Sequence, residues 1–280
     1  MKKINYLKAT FSLISFFIYS SIVAQQKTAV FENGDEINYE IIQNEPKGMN
    51  KLTMSLGAKF DGESASFATL QYFRPDKFFL QSNIGVKHYE IGGLYFFNST
   101  TIDKPINLTL RNVVGSGVTT RMQVKETIKK QIDFGIHVGY TYKEVKSDGF
   151  AEGSFVGLST HEIAIGFGRL KSRYFSWLPE GNTKPTRGTI QTGIYADLLL
   201  YPTVKEGDLY SVTFDSNGNP IPAKDLVSKF GGRLYLDGRS SFVGTGDWGF
   251  IYRLGVGYGL AKQTYLIIGY GIYWGFRWVK

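Results

Sequence analysis

Cysteine is absent from the 280 residues, so no disulfide ties the chain, no thiolate can hold a metal, and no acyl group can be attached to an amino-terminal cysteine. Histidine is scarce: with three in all, His88, His137 and His161 are the whole supply of imidazole bases. A long apolar run is missing too. Beyond residue 24 no stretch approaches the roughly 20 residues a spanning helix needs, and the mean hydropathy is −0.14. Metal-ligand spacing, a phosphate-cradling glycine loop and a redox motif are lacking; "GVGYG", Gly255 to Gly259, falls inside an alternating run and not at a strand-to-helix turn. No cofactor or metal is therefore expected. Lys and Arg exceed Asp and Glu by 32 to 24, but without a basic run, which argues against nucleic acid as a partner.

What the chain does have is 21 Phe, 18 Tyr and 33 Gly, so apolar surface is plentiful yet never concentrated. Its first residues carry Lys2, Lys3 and Lys8, then an apolar run from Phe11 to Val23, then the small Ala24. A charged start, a short apolar centre and a small-residue end make a secretory signal peptide, residues 1–24, with cleavage expected after Ala24.

From Lys51 onward the dominant pattern is period two. "KLTMSLGAKF" sets Leu52, Met54, Leu56, Ala58 and Phe60 against Thr53, Ser55 and Lys59. "SFATLQYF" follows, then the turn "RPDK" (Arg74 to Lys77), then "FFLQSNIGVKHY", read as one returning strand. "INLTLRNVV" (Ile106 to Val114) alternates cleanly, while "GVTTRMQVKETIKK" after it either extends that strand or forms another hairpin; the stretch is counted as one strand plus a turn. "QIDFGIHVGYTYK" alternates over its whole length, with Ile132, Phe134, Ile136, Val138, Tyr140 and Tyr142 opposite Asp133 and His137. That is more than twice the usual strand length of about 5 or 6. "HEIAIGFGRL", "TIQTGIYADLLLYP", "FGGRLYLDGR", "WGFIYRLGVGYGL" and "YLIIGYGIYWGFRW" complete a count of ten.

The two faces of these runs decide the fold class. One is apolar, with aromatics toward the strand ends. The other carries Asp133, Asp197, Asp237, Arg233, Arg253 and Arg277, which a dry soluble core would not accept unpaired. A secreted β-sandwich explains strands but neither their length nor the closing aromatics. An outward apolar band, aromatic girdles and a polar interior describe an all-β, antiparallel transmembrane β-barrel over residues 51–280, of about ten strands, with eight and twelve as the neighbouring even counts. In this respect the chain resembles bacterial outer-membrane β-barrel proteins of the small-barrel class found in the Bacteroidota. The likeness rests on the signal peptide followed by Gln25 and Gln26, the alternating strands, and the aromatic final strand. It implies outer-membrane lipid as surroundings, periplasmic termini, and insertion by the barrel-assembly machinery, which reads a terminal aromatic. Here Trp278 is followed by Val279 and Lys280, so that signal is displaced. With the carboxyl terminus periplasmic, the segments 90–105, 144–159 and 202–229 are expected outside the cell, and "RPDK" inside.

Residues 25–50 contain "TAVFENGDEINYEII", with Asn33-Gly34 at a hairpin turn signal. They are expected either as a periplasmic lead or as a plug in the lumen. The candidate functional residues are a lumen charge cluster of Asp133, His137, Glu162, Asp197, Arg233, Asp237, Arg253 and Arg277, which either lines a selective constriction or neutralises itself in a closed lumen. The inward glycines Gly249, Gly255, Gly257, Gly259, Gly269, Gly271 and Gly275 give curvature or a cavity along that wall. Catalysis is not expected. His161, with Ser159 and Glu162 near it, would be the one candidate base for a lipid-acting hydrolase, but "STHE" is not the pattern of the barrel deacylases or phospholipases. Two functions remain: a narrow channel for small polar solutes, or a closed barrel that binds a partner through its outer loops or amino-terminal segment.

Overall fold

The structure, a computed structural model, describes residues 25–49, 51–60, 64–85, 88–115, 118–148, 155–206, 213–214, 216–217, 220–221, 228–241, 247–259 and 264–276. The signal peptide expected over residues 1–24, and the terminal Trp278, Val279 and Lys280, lie outside this set. In chain order come β1 (Gln25–Val30), β2 (Glu36–Gln43), a 3-10 turn (Pro46–Gly48), β3 (Leu52–Phe60), β4 (Ser64–Arg74), β5 (Phe78–Gly85), β6 (His88–Gly115), β7 (Val118–Asp148), β8 (Phe155–Pro179) and β9 (Thr186–Glu206). The two-residue pair β10 (Thr213–Phe214) and β11 (Pro220–Ile221) follows, then β12 (Phe230–Ser241), β13 (Trp248–Tyr258) and β14 (Thr264–Phe276).

Ten of these close a barrel. β3 through β9 pair in sequence, β12 pairs with β9, β13 with β12 and β14 with β13, and β14 returns to β3. Every pairing is antiparallel, and Leu52↔Phe276 in the closing register puts the first and last barrel strands' outer ends together. We call that end the terminus side. The turn Arg74–Lys77 lies there, with Lys77 N–H donating to Arg74 O at 3.2 Å and Asp76 at φ 64°, a left-handed position that aspartate tolerates. Residues 144–148 and 206 approach the opposite, far side.

Alternation sorts the two faces as expected. Outward residues such as Phe134, Ile136, Val138, Phe167, Leu198, Leu234, Leu254 and Leu266 are exposed large hydrophobics. Inward residues such as Thr53, Thr69, Asn83, Asp133, Glu162 and Gln191 are buried. Aromatics ring both ends of the outer surface: Tyr89, Tyr140 and Tyr142 cluster on the far side with ring centroids 5.6–6.0 Å apart, and Trp248, Trp274 and Phe276 are exposed near the terminus side.

Ten strands agree with the expectation, but two of them are divided differently. "FFLQSNIGVKHY" is not one strand: it ends as β5 at Gly85, and His88 already begins β6. "INLTLRNVV" is not a separate strand either, since Ile106–Val114 is the distal part of β6, paired with the distal part of β7. Segment 90–105 consequently does not join 144–159 and 202–229 on one side. Its first part is barrel wall, level with Tyr140 to Gly135, and from Asn98 onward it runs out beyond the terminus side.

That overhang builds a second layered structure. β1 and β2 form a hairpin turned at Gly34 (φ 83°), whose N–H donates to Phe31 O at 2.9 Å. β2 adds to the end of β8, with Ile41↔Trp177 and Tyr39↔Pro179 in register. The sheet so formed lays Ala29, Ile37, Tyr39 and Trp177 against Leu108, Leu110 and Met122 of the β6–β7 overhang, enclosing a core separate from the lumen. The result is a small β-sandwich at the foot of the barrel, drawing on residues from both sides of position 50. Lys27 Nζ reaches both oxygens of Glu126 at 2.8 and 2.9 Å, and Tyr39 Oη donates to the same carboxylate. Burial alone would raise the Glu126 carboxyl, but these two donors outweigh it and hold it below its ordinary value. Burial and the neighbouring carboxylate both push the Tyr39 phenol up.

Candidate functional site

Across the barrel interior the side chains of eight strands meet. Arg233 on β12 is the hub. Its Nε lies 2.8 Å from Asp197 Oδ2, its Nη1 3.2 Å from Glu162 Oε1, and its Nη2 3.7 Å from Glu90 Oε1. Arg253 on β13 bridges Asp237 at 2.7 Å and Glu90 at 3.4 Å. Lys59 on β3 meets Glu90 at 3.4 Å, and Asn83 on β5 donates to Glu90 at 2.8 Å. His137 Nδ1 on β7 lies 2.8 Å from Asp197 Oδ1. Four carboxylates thus face three cations, and the imidazole completes the set. Charges this deeply covered, with the Arg233 side chain 7% and that of Asp197 0% exposed, persist because each has a partner; an unpaired one would cost several kcal/mol.

Aromatic rings back the network. The guanidiniums of Arg233 and Arg253 lie 5.1 and 5.0 Å from the centroid of Tyr235, which stacks on Tyr195 at 4.9 Å, and Tyr195 in turn meets His137 at 5.2 Å. Toward the terminus side the filling turns apolar: Phe73, Phe79, Leu94, Phe96, Leu170 and Met49 pack with those tyrosines. Met49 stands just after the 3-10 turn, so the end of the amino-terminal segment reaches this cluster while its hairpin remains in the sandwich.

The glycines of the wall are occupied ground. A Cβ at Gly257 would lie 2.3 Å from the Tyr265 ring, and one at Gly193 would lie 2.5 Å from the Tyr195 ring. Large rings lie flat against strands there because no side chain stands in the way, so these glycines open no cavity at those positions. The recesses left between the network and the wall, one bounded by Lys59, Glu162, Arg233 and Arg253, offer room for about one water.

Of the residues nominated from sequence, His137, Glu162, Asp197, Arg233, Asp237 and Arg253 are brought together. Asp133 is inward and buried but stands apart near the terminus side, accepting from Ser99 Oγ and from Gln131 Nε2 at 2.8 Å. Arg277 lies outside the described residues. Glu90 and Lys59 were missed. Lys59 stood on the polar face of its run, whereas Glu90 was hidden by a change of phase: even-numbered Leu80 and Ile84 face outward in β5, but in β6 the odd-numbered Tyr89 and Ile91 do so and Glu90 is buried inside. Arg239 was also passed over: it is 2% exposed, donates to Thr53 Oγ1 at 2.9 Å, and lies 5.8 Å from the Tyr273 ring. His161 Nδ1 lies 2.6 Å from Tyr140 Oη in the far-side aromatic cluster.

No family model matches the sequence, and no curated protein matches it. Among solved structures, the chain is similar to one described as the CymD monoaromatic hydrocarbon channel, at 8% identity and a TM-score of 0.22, over 84% of this chain and 91% of that one. A likeness at that level carries no argument about function. The class of the protein therefore rests on its own geometry: a closed, ten-strand antiparallel barrel, apolar outside and polar within.

Proposed function

We propose that the protein is an outer-membrane β-barrel with periplasmic termini, shut along its axis, that holds a periplasmic β-sandwich for contact with a partner. Support for membrane placement comes from the outer belt. From Leu266 to Phe276 every second residue of β14 is a large hydrophobic, and each is exposed. Ten residue steps span about 34 Å along a strand, or about 25 Å across the membrane at the tilt usual for such strands, which is the height of their apolar band. An exposed belt of this extent has no stable place in water. Insertion by the barrel-assembly machinery belongs to the same reading.

The observation that carries closure is the filled lumen: an interlocked ion network over an apolar cluster, whose recesses among the described residues hold about one or two waters each. A small partner protein bound through the sandwich or the far-side loops is then the more economical role, and no reaction is proposed. The second reading, a narrow channel for small polar solutes, draws on the charged lining around Arg233 and Arg253, which a selective constriction also needs. Single-channel conductance of the refolded mature protein, with and without residues 25–50, separates them. Silence in both forms supports the closed barrel. Steady current in the intact protein sinks it, and current that appears only after truncation makes residues 25–50 the gate of a channel.

A further inference from the structure

The outer face of the barrel changes character abruptly on β7 and β8. Along β8 the outward residues run Ile163, Ile165, Phe167 and then Arg169, Lys171, Arg173 before the sandwich takes over at Phe175. Along β7 the outward Ile136, Phe134 and Ile132 give way to Lys130. Lys130 and Arg173 are directly opposite in register, as are Phe134 and Arg169. Lys104 on β6 is one step further, opposite Ile128. All four of the other cations lie close enough to Lys130 to repel its charge.

Among the described residues none of the five is in an ion pair. Like charges directly opposite on neighbouring strands are unfavourable by themselves, so this arrangement asks for an anion from outside the chain. Its position names the anion. The patch begins where the apolar belt ends, with the Arg169 guanidinium 5.2 Å from the Phe134 ring, and it ends where protein again covers the same face. From Arg169 to Arg173 is about 13 Å along the strand, about 9 Å in depth at a 45° tilt, close to the roughly 5 to 8 Å that each headgroup layer adds to a bilayer.

We propose that Lys104, Lys130, Arg169, Lys171 and Arg173 form a binding site for the phosphate headgroups of anionic phospholipids in the leaflet on the terminus side. It rests on the membrane reading given above. The site orients the barrel in depth and presents the sandwich at a set height from the bilayer surface. Clustered basic side chains at a membrane interface bind anionic headgroups with about 1 kcal/mol per charge, or about five-fold each.

The test uses the full mature protein in vesicles of equimolar phosphatidylglycerol and phosphatidylcholine with identical acyl chains, followed by flotation and by native mass spectrometry of the retained lipids. The wild-type protein should retain phosphatidylglycerol preferentially. Lys130→Gln, Lys171→Gln and Arg173→Gln together should lower that preference at least about five-fold, Lys171→Gln alone should lower it partway, and a charge-keeping triple with Lys130→Arg, Lys171→Arg and Arg173→Lys should restore it. Lys77→Gln, Lys125→Gln and Lys184→Gln, which remove the same charge from exposed positions elsewhere, should leave it unchanged. Equal retention of both lipids by a protein that floats, no effect of the first triple, or an equal effect of the distant one would overturn the lipid site alone. Displacement of phosphatidylglycerol by an equal concentration of inorganic phosphate would overturn it in favour of a small-anion site. Failure to float at all would overturn the membrane reading itself.

Discussion

The barrel and the sandwich are made in part from the same three strands, and they are built inside out relative to one another. In the barrel the even-numbered residues of β7, such as Phe134, Ile136 and Val138, face outward and are exposed, while the odd-numbered Asp133 and His137 are buried inside. In the overhang the even-numbered Met122 and Ile128 are buried, and the odd-numbered Gln123, Lys125, Thr127 and Lys129 are exposed. The pleat has not changed phase between the two. What changes is the cover on each face: on the even face the belt gives way to the β1–β2–β8 sheet, and on the odd face the packed lumen gives way to open surroundings. One alternating strand therefore serves an oily exterior at one end and a dry core at the other.

This comparison can be broken most severely by shifting phase. Inserting one alanine between Lys130 and Gln131 would put Asp133 and His137 on the apolar face or Met122 and Ile128 on the exposed one, since a slip of one residue flips every side chain beyond it. The expected outcome is loss of the compact, heat-modifiable band on gel electrophoresis; inserting two alanines should recover part of it. Next in size is Arg233→Ala, which strands Asp197, Glu162 and Glu90 without their shared cation. Breaking a buried pair in this way costs about 3–5 kcal/mol, to be read as a fall in the urea midpoint of the whole barrel.

Trp177→Ala removes a comparable amount of packing, about 3–5 kcal/mol for a buried tryptophan, but from the sandwich core. Hydrogen exchange should rise in residues 25–43 and 106–128 while the barrel's urea midpoint holds, and a parallel fall in that midpoint would show the two regions to be one cooperative unit. The smallest effect concerns acid. Glu126 is held below its ordinary pKa when folded, so its contribution is present at neutral pH and is lost as pH falls through that lowered value. Exchange in β1 and β2 should therefore rise on acidification below the usual carboxylate range, and Glu126→Gln should flatten that rise by weakening the hairpin at every pH.

Much of this was legible in the residues, because a membrane-facing strand and a lumen-facing charge leave the same signature in every second position. Asp197, Arg233 and Arg253 could be assigned to the interior from parity alone. The overhang was not legible for a physical reason. Asn98, Ser99, Thr100, Asp103 and Pro105 have the composition of a loop, yet they pair residue by residue with β7. Beyond Tyr95, β6 has no β5 partner, so it is an edge strand there, and proline is tolerated at an edge. The turn between β5 and β6 was hidden for the opposite reason, since Gly85-Val86-Lys87-His88 carries only a glycine where turns usually announce themselves with proline, asparagine or aspartate as well. Parity names faces but not partners, so neither the meeting of Glu90 with Arg233 nor the sandwich could be read from one strand at a time.

The length of β7 has a mechanical side. Its 31 residues amount to about 100 Å of extended chain, joined to β6 from Val118 to Lys143 by a ladder with register shifts at Phe96/Asn98 and Thr109/Arg111. No loop interrupts it where it leaves the barrel. A pull or a twist applied at the sandwich is not absorbed by a joint, and so it arrives at the stretch of wall that carries Asp133 and His137. The overhang is a lever arm, with the ring of lumen charges at its short end.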